Sequence, residues 1–327
     1  MDGFIPLDTG RRRTLKAAIG CVGVGLHSGR RTSLTLRPAA SGTGIVFRRT
    51  DLGGVEIPAR FDHVADTRLC TALALPDAPG VRLGTVEHVM AALAGCGVDD
   101  AVVEVDGPEV PILDGSAAPF VFLIDCAGIA SHPGTPDAIE ILRPVRVQDG
   151  EGPGAAWAEL LPALPGTAER LGGLDAELSI DFPATAIGRQ SLALRVTPHA
   201  FRDALADART FTMAEEVAKL RAMGLAQGGS LANAVVVDGP LVLNPGGLRR
   251  PDEFVRHKLL DVVGDLALAG ASLRGRFRGH RSGHALNNRL LRALFAEAGA
   301  WRRVSTLRVT DGAAAAPMRA AAYPAMA

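Results

Sequence analysis

The chain has 327 residues, 47% of them hydrophobic and 21% charged, and its 35 basic side chains balance its 35 acidic ones. That length favours two domains over a single core, and the balanced charge gives no reason to expect nucleic acid or another polyanion as partner. The opening residues lack the apolar stretch of a secretory signal and no run approaches ~18 uncharged apolar residues, so neither export nor a membrane span is expected.

Residues 14–38 read as two strands around a turn supplied by Gly25, His27, Ser28 and Gly29. G-I-V-F-R-R-T, V-E-I-P-A and R-L-C-T-A-L-A-L with V-R-L-G continue as short strands. T-V-E-H-V-M-A-A-L-A-G predicts a helix with Thr85 as N-cap and Gly95 or Gly97 as its stop. A-V-V-E-V follows as a strand and S-A-A-P-F-V-F-L-I-D-C-A-G as a second helix. The Pro/Gly-marked segment 131–139, S-H-P-G-T-P-D-A-I, is the expected linker between a domain over 1–130 and another over 140–311. Beyond it come strands in I-E-I-L-R-P-V-R-V, W-A-E-L, A-E-L-S-I-D-F and R-Q-S-L-A-L-R-V. F-T-M-A-E-E-V-A-K-L-R-A-M-G reads as an amphipathic helix with Phe211, Met213, Ala214, Val217 and Leu220 on or near one stripe. A helix over 252–269, the strand S-L-R-G-R-F-R-G and a helix from about Ala285 complete the pattern. The alanine-rich tail over 312–327 is low-complexity, and no role is expected of it.

Cys21, Cys70, Cys96 and Cys126 have no C-x-x-C spacing, which fits reduced thiols in a cytoplasmic protein and argues against a thiolate metal site. The chemistry concentrates instead in F-V-R-H-K-L-L-D-V-V-G-D. His257, Asp261 and Asp265 are spaced i, i+4, i+8 and share one helix face. Ionisable groups in so apolar a run are unfavourable unless paired or bound to metal. Imidazole and carboxylate suit zinc, whose catalytic sites take three protein ligands and leave one position open. His257 and Asp261 provide two, and His88, at the start of a helix in the other half, is the candidate third. Glu87 then stands beside the metal as a general base. His284, in a glycine-bounded loop, is the candidate general acid, with Asp265 to orient it. Only three lysines occur among the basic residues, Lys16, Lys219 and Lys258; the last adjoins His257, as if a compact ammonium were wanted there. His88 and His257 each sit near the start of a helix followed by a glycine and a strand, which suggests two related halves meeting at a seam.

In order along the chain stand T-L-K, V-G-V-G-L-H-S-G, T-V-E-H-V-M-A-A-L-A-G-C-G-V-D-D, P-I-L-D-G-S-A-A-P-F, A-R-T-F, F-V-R-H-K-L-L-D-V-V-G-D-L and S-G-H-A-L-N-N. From about Arg13 to Trp301 the sequence closely resembles the UDP-3-O-acyl-N-acetylglucosamine deacetylases, the zinc amidases of lipid A biosynthesis. The resemblance implies an α+β fold of two similar domains. Each is a β-sheet layered against two helices with an insert, the helix layers pack together, and the active site lies at the seam. It implies His88, His257 and Asp261 as zinc ligands (with ferrous iron open as the metal in vivo), Glu87 as base, and His284 supported by Asp265 as acid. It also implies Lys258 and Thr210 as partners of the developing oxyanion. The insert around 185–225 would form a hydrophobic passage for the 3-O-acyl group, with Phe211, Met213, Val217 and Leu220 as substrate contacts. The implied protein is a cytoplasmic monomer that hydrolyses the N-acetyl group of UDP-3-O-[(3R)-3-hydroxyacyl]-N-acetylglucosamine. Two other readings stay open: a zinc amidase for another acylated amino sugar, and a non-catalytic binder of acylated nucleotide sugars. The binder would be expected to lack the base or a ligand.

Overall fold

The computed structural model describes residues 10–152, 154–164 and 173–305; the expected tail at 312–327 lies outside them. In the first half, strands Ile19–Val24, Arg31–Pro38, Ala101–Val105, Ile45–Arg49 and Val55–Pro58 form one sheet in that spatial order. Arg31–Pro38 buries Thr32, Leu34 and Leu36 while its other residues face outward, the period-2 pattern of a sheet covered on one side. One pair in this sheet, Ile45–Arg49 with Ala101–Val105, is parallel. A parallel pair needs a crossover connection, and that crossover contains helix α1 (Glu87–Gly95) together with a small sheet of Val64–Asp66, Ala72–Leu75 and Ala78–Leu83. Helix α2 (Ala118–Ala127) follows the returning strand.

The second half repeats this order. Its seven-stranded sheet is built on Ser272–His280, which runs parallel to Leu174–Phe182 and to Asp137–Ile141. The crossover from Leu174–Phe182 carries α3 (Pro198–Ala204), α4 (Ala214–Ala222) and α5 (Glu253–Ala267), and α6 (His284–Ala296) follows the returning strand. A second small sheet, Phe211–Met213 with Val235–Asp238 and Leu241–Val242, hangs on this crossover beside α4. The mixed α+β class is as expected. Among the described residues no helix is long and apolar enough to cross a membrane.

The helices form the layer between the sheets, α1 lying against both α2 and α5, and α5 against α6. Their composition requires it. Val89, Met90, Ala91, Ala92 and Leu93 of α1 are at most 1% exposed, and Phe254, Val255, Leu259 and Leu260 of α5 are fully buried. Helices whose apolar residues face several directions have to be covered on several sides, and each large side chain buried stabilises the fold by roughly 1.5–3 kcal/mol. The two helices touch at Gly264, where an added Cβ would lie 2.0 Å from the carbonyl oxygen of Glu87. Only glycine allows the start of α1 to come this close to α5.

Three local expectations are corrected. Thr85 is not the N-cap of α1: its φ is +59° and its hydroxyl donates to Glu109 at 2.9 Å, leaving Val86 at the cap without a side-chain bond. Glu109 is buried and also accepts the backbone N–H groups of His27 and Ser28, so a carboxylate with several donors takes Thr85 from the helix end. The helix expected from Phe211 starts at Ala214 instead. Phe211–Met213 pairs with Val235–Val237, because the Phe211 ring packs edge-on against Phe254, 5.0 Å away, and a strand delivers it there. Within 131–139, only residues 133–136 lie outside strands, since Ile129–His132 pairs with Arg12–Leu15 and Asp137–Ile141 belongs to the second sheet.

Candidate active site

Because α5 crosses α1 at Gly264, the first turn of α1 faces the middle of α5. Glu87, His88, His257, Asp261 and Asp265 meet there, each at most 3% exposed. His88 and His257 stand edge to face with ring centroids 5.1 Å apart. Asp261 Oδ1 lies 3.7 Å from His88 Nε2 and 3.5 Å from His257 Nε2, and it is buried with no hydrogen-bond partner among the described residues. Two ligands bound at about 2.0–2.1 Å with tetrahedral angles stand about 3.3–3.4 Å apart. The spacing therefore fits a common ion better than direct hydrogen bonds. Among the described residues these three are the one His/Cys/Asp/Glu group able to hold a metal, their donor atoms all within 4.8 Å of one another.

The surroundings prepare each donor. His257 Nδ1 donates to the Ala208 carbonyl at 3.0 Å, which fixes the tautomer and leaves the Nε2 lone pair facing the site. Burial also drives the His257 pKa down to about 4, keeping the ring neutral as ligation requires. For Asp261 burial opposes ionisation, but the neighbouring His257 ring and the Lys258 ammonium outweigh it and hold the carboxyl well below its ordinary range. Lys258 Nζ donates to Asp261 Oδ2 at 3.1 Å. Burial would lower its pKa; Asp261 raises it further, so the ammonium persists.

A second group handles protons. Glu87 Oε2 accepts the Thr71 N–H at 3.0 Å, while Oε1 lies 3.9 Å from His284 Nε2. Burial raises the Glu87 pKa although His284 pulls it back. His284 opens α6, and its Nδ1 bonds Asp265 Oδ2 at 2.8 Å, which aims Nε2 at the pocket. Burial alone would lower the pKa of this imidazole. The Asp265 carboxylate overrides that and, with Glu87 and Asp261, lifts it to about 9. A buried carboxylate with raised proton affinity thus faces an imidazolium, the pairing that acid–base catalysis needs.

Thr210 stands in the loop before Phe211. Its N–H donates to the Gly115 carbonyl and its own carbonyl accepts from Val235, both at 2.8 Å. Gly115, in the P-I-L-D-G segment, has φ +84°, and a Cβ there would fall 2.0 Å from the Asn233 carbonyl, so this approach also requires glycine. Arg209 is anchored by a buried pair with Glu253 at the start of α5, with contacts of 2.8 and 3.0 Å. Beside Thr210 opens a cavity of about 400 Å³, lined mainly by apolar side chains that include Phe211, Val217, Leu220, Leu231 and Leu243. Met213, expected as a substrate contact, is not among the lining residues.

The structure thus brings Glu87, His88, His257, Lys258, Asp261, Asp265 and His284 into one cluster and puts Thr210 and Phe211 on the wall of the cavity. The Phe211 ring lies 6.3 Å from that of His257. Sequence reasoning missed Thr71 and Asn287, both of which donate to Asp265, and the Ala208 carbonyl. Asn287 could have been found, since it lies i+3 from His284 on the same helix face. Thr71 and Ala208 carried no signal.

A model of the family described as UDP-3-O-acyl N-acetylglycosamine deacetylase matches residues 12–296. The UDP-3-O-acyl-N-acetylglucosamine deacetylase of Idiomarina loihiensis is 48% identical over 298 residues, covering 90% of this chain and 93% of its own. The protein of the same name from Shewanella frigidimarina is 47% identical over 303 residues, covering 92% and 94%. That from Shewanella loihica is 48% identical over 297 residues, covering 90% and 92%.

Proposed function

Since the chain belongs to the UDP-3-O-acyl-N-acetylglucosamine deacetylase family, we propose the following assignment of its pocket to that reaction. The chain hydrolyses the N-acetyl group of UDP-3-O-[(3R)-3-hydroxyacyl]-N-acetylglucosamine, releasing acetate and the 2-amino sugar nucleotide, the committed step of lipid A biosynthesis. The observation that carries the assignment is the convergence of His88, His257 and Asp261 on one point that Glu87 and His284 also face.

His88, His257 and Asp261 would hold a divalent metal, zinc in this reading, which when bound would supply Lewis-acid polarisation of the amide carbonyl and of the attacking water. Glu87 takes the proton of that water at Oε1, since Oε2 is occupied by the Thr71 N–H. The water's oxygen joins the acetyl carbon. Lys258 and the Thr210 hydroxyl stabilise the negative charge that develops on the carbonyl oxygen. His284 passes the proton on Nε2 to the amide nitrogen as the C–N bond breaks, because an amide anion leaves too slowly unprotonated. Asp265 keeps that imidazole charged and oriented. The apolar cavity beyond Thr210 takes the 3-O-acyl chain, with Phe211, Val217 and Leu220 along its wall. The nucleotide-sugar substrate supports a cytoplasmic location.

The test is acetate release from the acylated UDP-sugar by the purified protein, with bound metal measured by mass spectrometry. Zinc or ferrous iron at one per chain together with acetate release is expected. A metal-loaded protein that releases none overturns the reading, and turnover of a different acylated amino sugar would transfer it to another amidase. UDP-N-acetylglucosamine lacking the acyl chain should lose several orders of magnitude in kcat/KM, since each methylene withdrawn from water is worth ~0.8 kcal/mol.

A further inference from the structure

Thr71 makes three short contacts that no role described so far requires. It sits in the R-L-C-T segment at the entry of strand Ala72–Leu75, 1% exposed, two residues after Leu69, whose φ of +67° turns the chain inward. Its N–H donates to Glu87 Oε2 at 3.0 Å and its carbonyl accepts the Val86 N–H at 3.2 Å, so both the head of α1 and the Glu87 carboxylate are tied to it. Its hydroxyl donates to Asp265 Oδ1 at 2.6 Å. Oδ2 of the same carboxylate takes His284 Nδ1 and Asn287 Nδ2, both at 2.8 Å. Asp265 therefore reaches His284 with a fixed plane only if both of its oxygens are held, Oδ1 by Thr71 and Oδ2 by Asn287.

We propose that Thr71 is a positioning residue that locks Glu87 and the Asp265–His284 pair into one frame, bridging the first half's small sheet to α5. The proposal rests on the roles given above to Glu87 and His284. Without the hydroxyl, Asp265 can rotate about its last torsion and carry the imidazole with it. The strand entry that holds Glu87 Oε2 also loses its tie to α5. The metal ligands are untouched. Substrate binding is too, because Thr71 lies behind the two proton-handling groups and not among the residues lining the acyl cavity.

Four readouts test this on the metal-loaded full chain. Thr71→Val keeps the shape and removes the donor; kcat should fall about 10- to 100-fold, the usual effect of losing a partner behind an active group. KM and bound metal per chain should stay within about twofold of wild type. Thr71→Ser restores the donor and should recover kcat to within about threefold. In an Asp265→Asn background Thr71→Val should lower kcat by less than about threefold, since residues acting through one another are not additive. A Thr71→Val enzyme with kcat within twofold of wild type, a Ser variant as poor as Val, or full additivity with Asp265→Asn overturns the proposal. If Thr71→Val fails to fold, Thr71→Ala takes its place in the same comparison. Failure of the wild-type protein to release acetate would instead overturn the assigned reaction, so the two failures are told apart.

Discussion

Helices α1 and α5 both lie in crossovers between parallel strands, and both bring candidate metal-ligating side chains to the same point, yet they do so differently. In α1 the two site residues are adjacent, Glu87 and His88, in the first turn of a short helix that is otherwise apolar. In α5 they are spread along one face, His257, Asp261 and Asp265, in the interior of a helix of 15 residues. A pair at a helix start can face a site only if the neighbouring backbone comes very near, whereas a stripe along a helix faces one direction by its own geometry. The α1 contribution thus depends on the crossing at Gly264, and the α5 contribution carries its geometry within itself.

The largest test of that comparison removes one ligand from each helix. His88→Ala and His257→Ala should each lose bound metal and measurable acetate release together, while Glu87→Ala should lose activity and keep its metal. Full metal occupancy in both histidine variants would dissolve the shared centre.

Next comes the proton donor that α5 supports from Asp265. His284→Gln should lower kcat/KM by roughly 10²–10⁴-fold, the range of a positioned acid or base. The sign of the pH dependence follows from the raised pKa: the folded state favours the imidazolium, so the acid is present below, and lost as pH rises through, about 9. The wild-type profile should therefore fall on that basic side, and His284→Gln should flatten the fall. Asp265→Asn should move it to lower pH, because the neutral amide no longer favours the charge. An unchanged basic limb in His284→Gln would assign that titration to another group. The same linkage makes the His284–Asp265 contribution to stability complete below pH ~6.5 and absent once pH exceeds the folded value.

The crossing itself is tested by Gly264→Ala. In an ordinary helix this change stabilises by up to ~1 kcal/mol; here the added Cβ meets the Glu87 carbonyl at 2.0 Å. A loss of roughly 1–3 kcal/mol in denaturant unfolding is expected, as for other overpacked positions, with activity falling more than His257-side metal contacts alone would explain. A stabilised variant of full activity would mean that α1 does not need this approach.

The smallest expected effect is at Lys258. An arginine keeps the charge but spreads it over a planar fork that cannot occupy the place of a compact ammonium beside Asp261. Lys258→Arg should slow turnover by ~3- to 10-fold with metal retained, and activity within about twofold would leave the lysine without a special part in the site.

How much of this was readable beforehand follows the same division. The i, i+4, i+8 spacing of His257, Asp261 and Asp265 is local, and so is the apolar run around it; helical periodicity alone put those side chains on one buried face. The order of most strands and helices in each half was likewise written in short-range patterns, whereas the class of the fold came from the resemblance to the deacetylases. The start of α1 was misread, because Thr85 has the chemistry of a cap and only the buried Glu109, 24 residues away, takes its hydroxyl. The Phe211 strand was misread for a similar reason: its neighbours have helical spacing, and pairing with Val235 is a contact across the insert. Composition and spacing determined which side chains this protein has available for metal and proton chemistry. Which of them meet was decided by two glycines that permit backbone contact, Gly264 and Gly115, and by hydrogen bonds such as Thr71 to Asp265 across 194 positions. Periodicity records what a residue does to its own helix or strand; packing distance between elements has no period, and so it becomes visible only when the chain is folded.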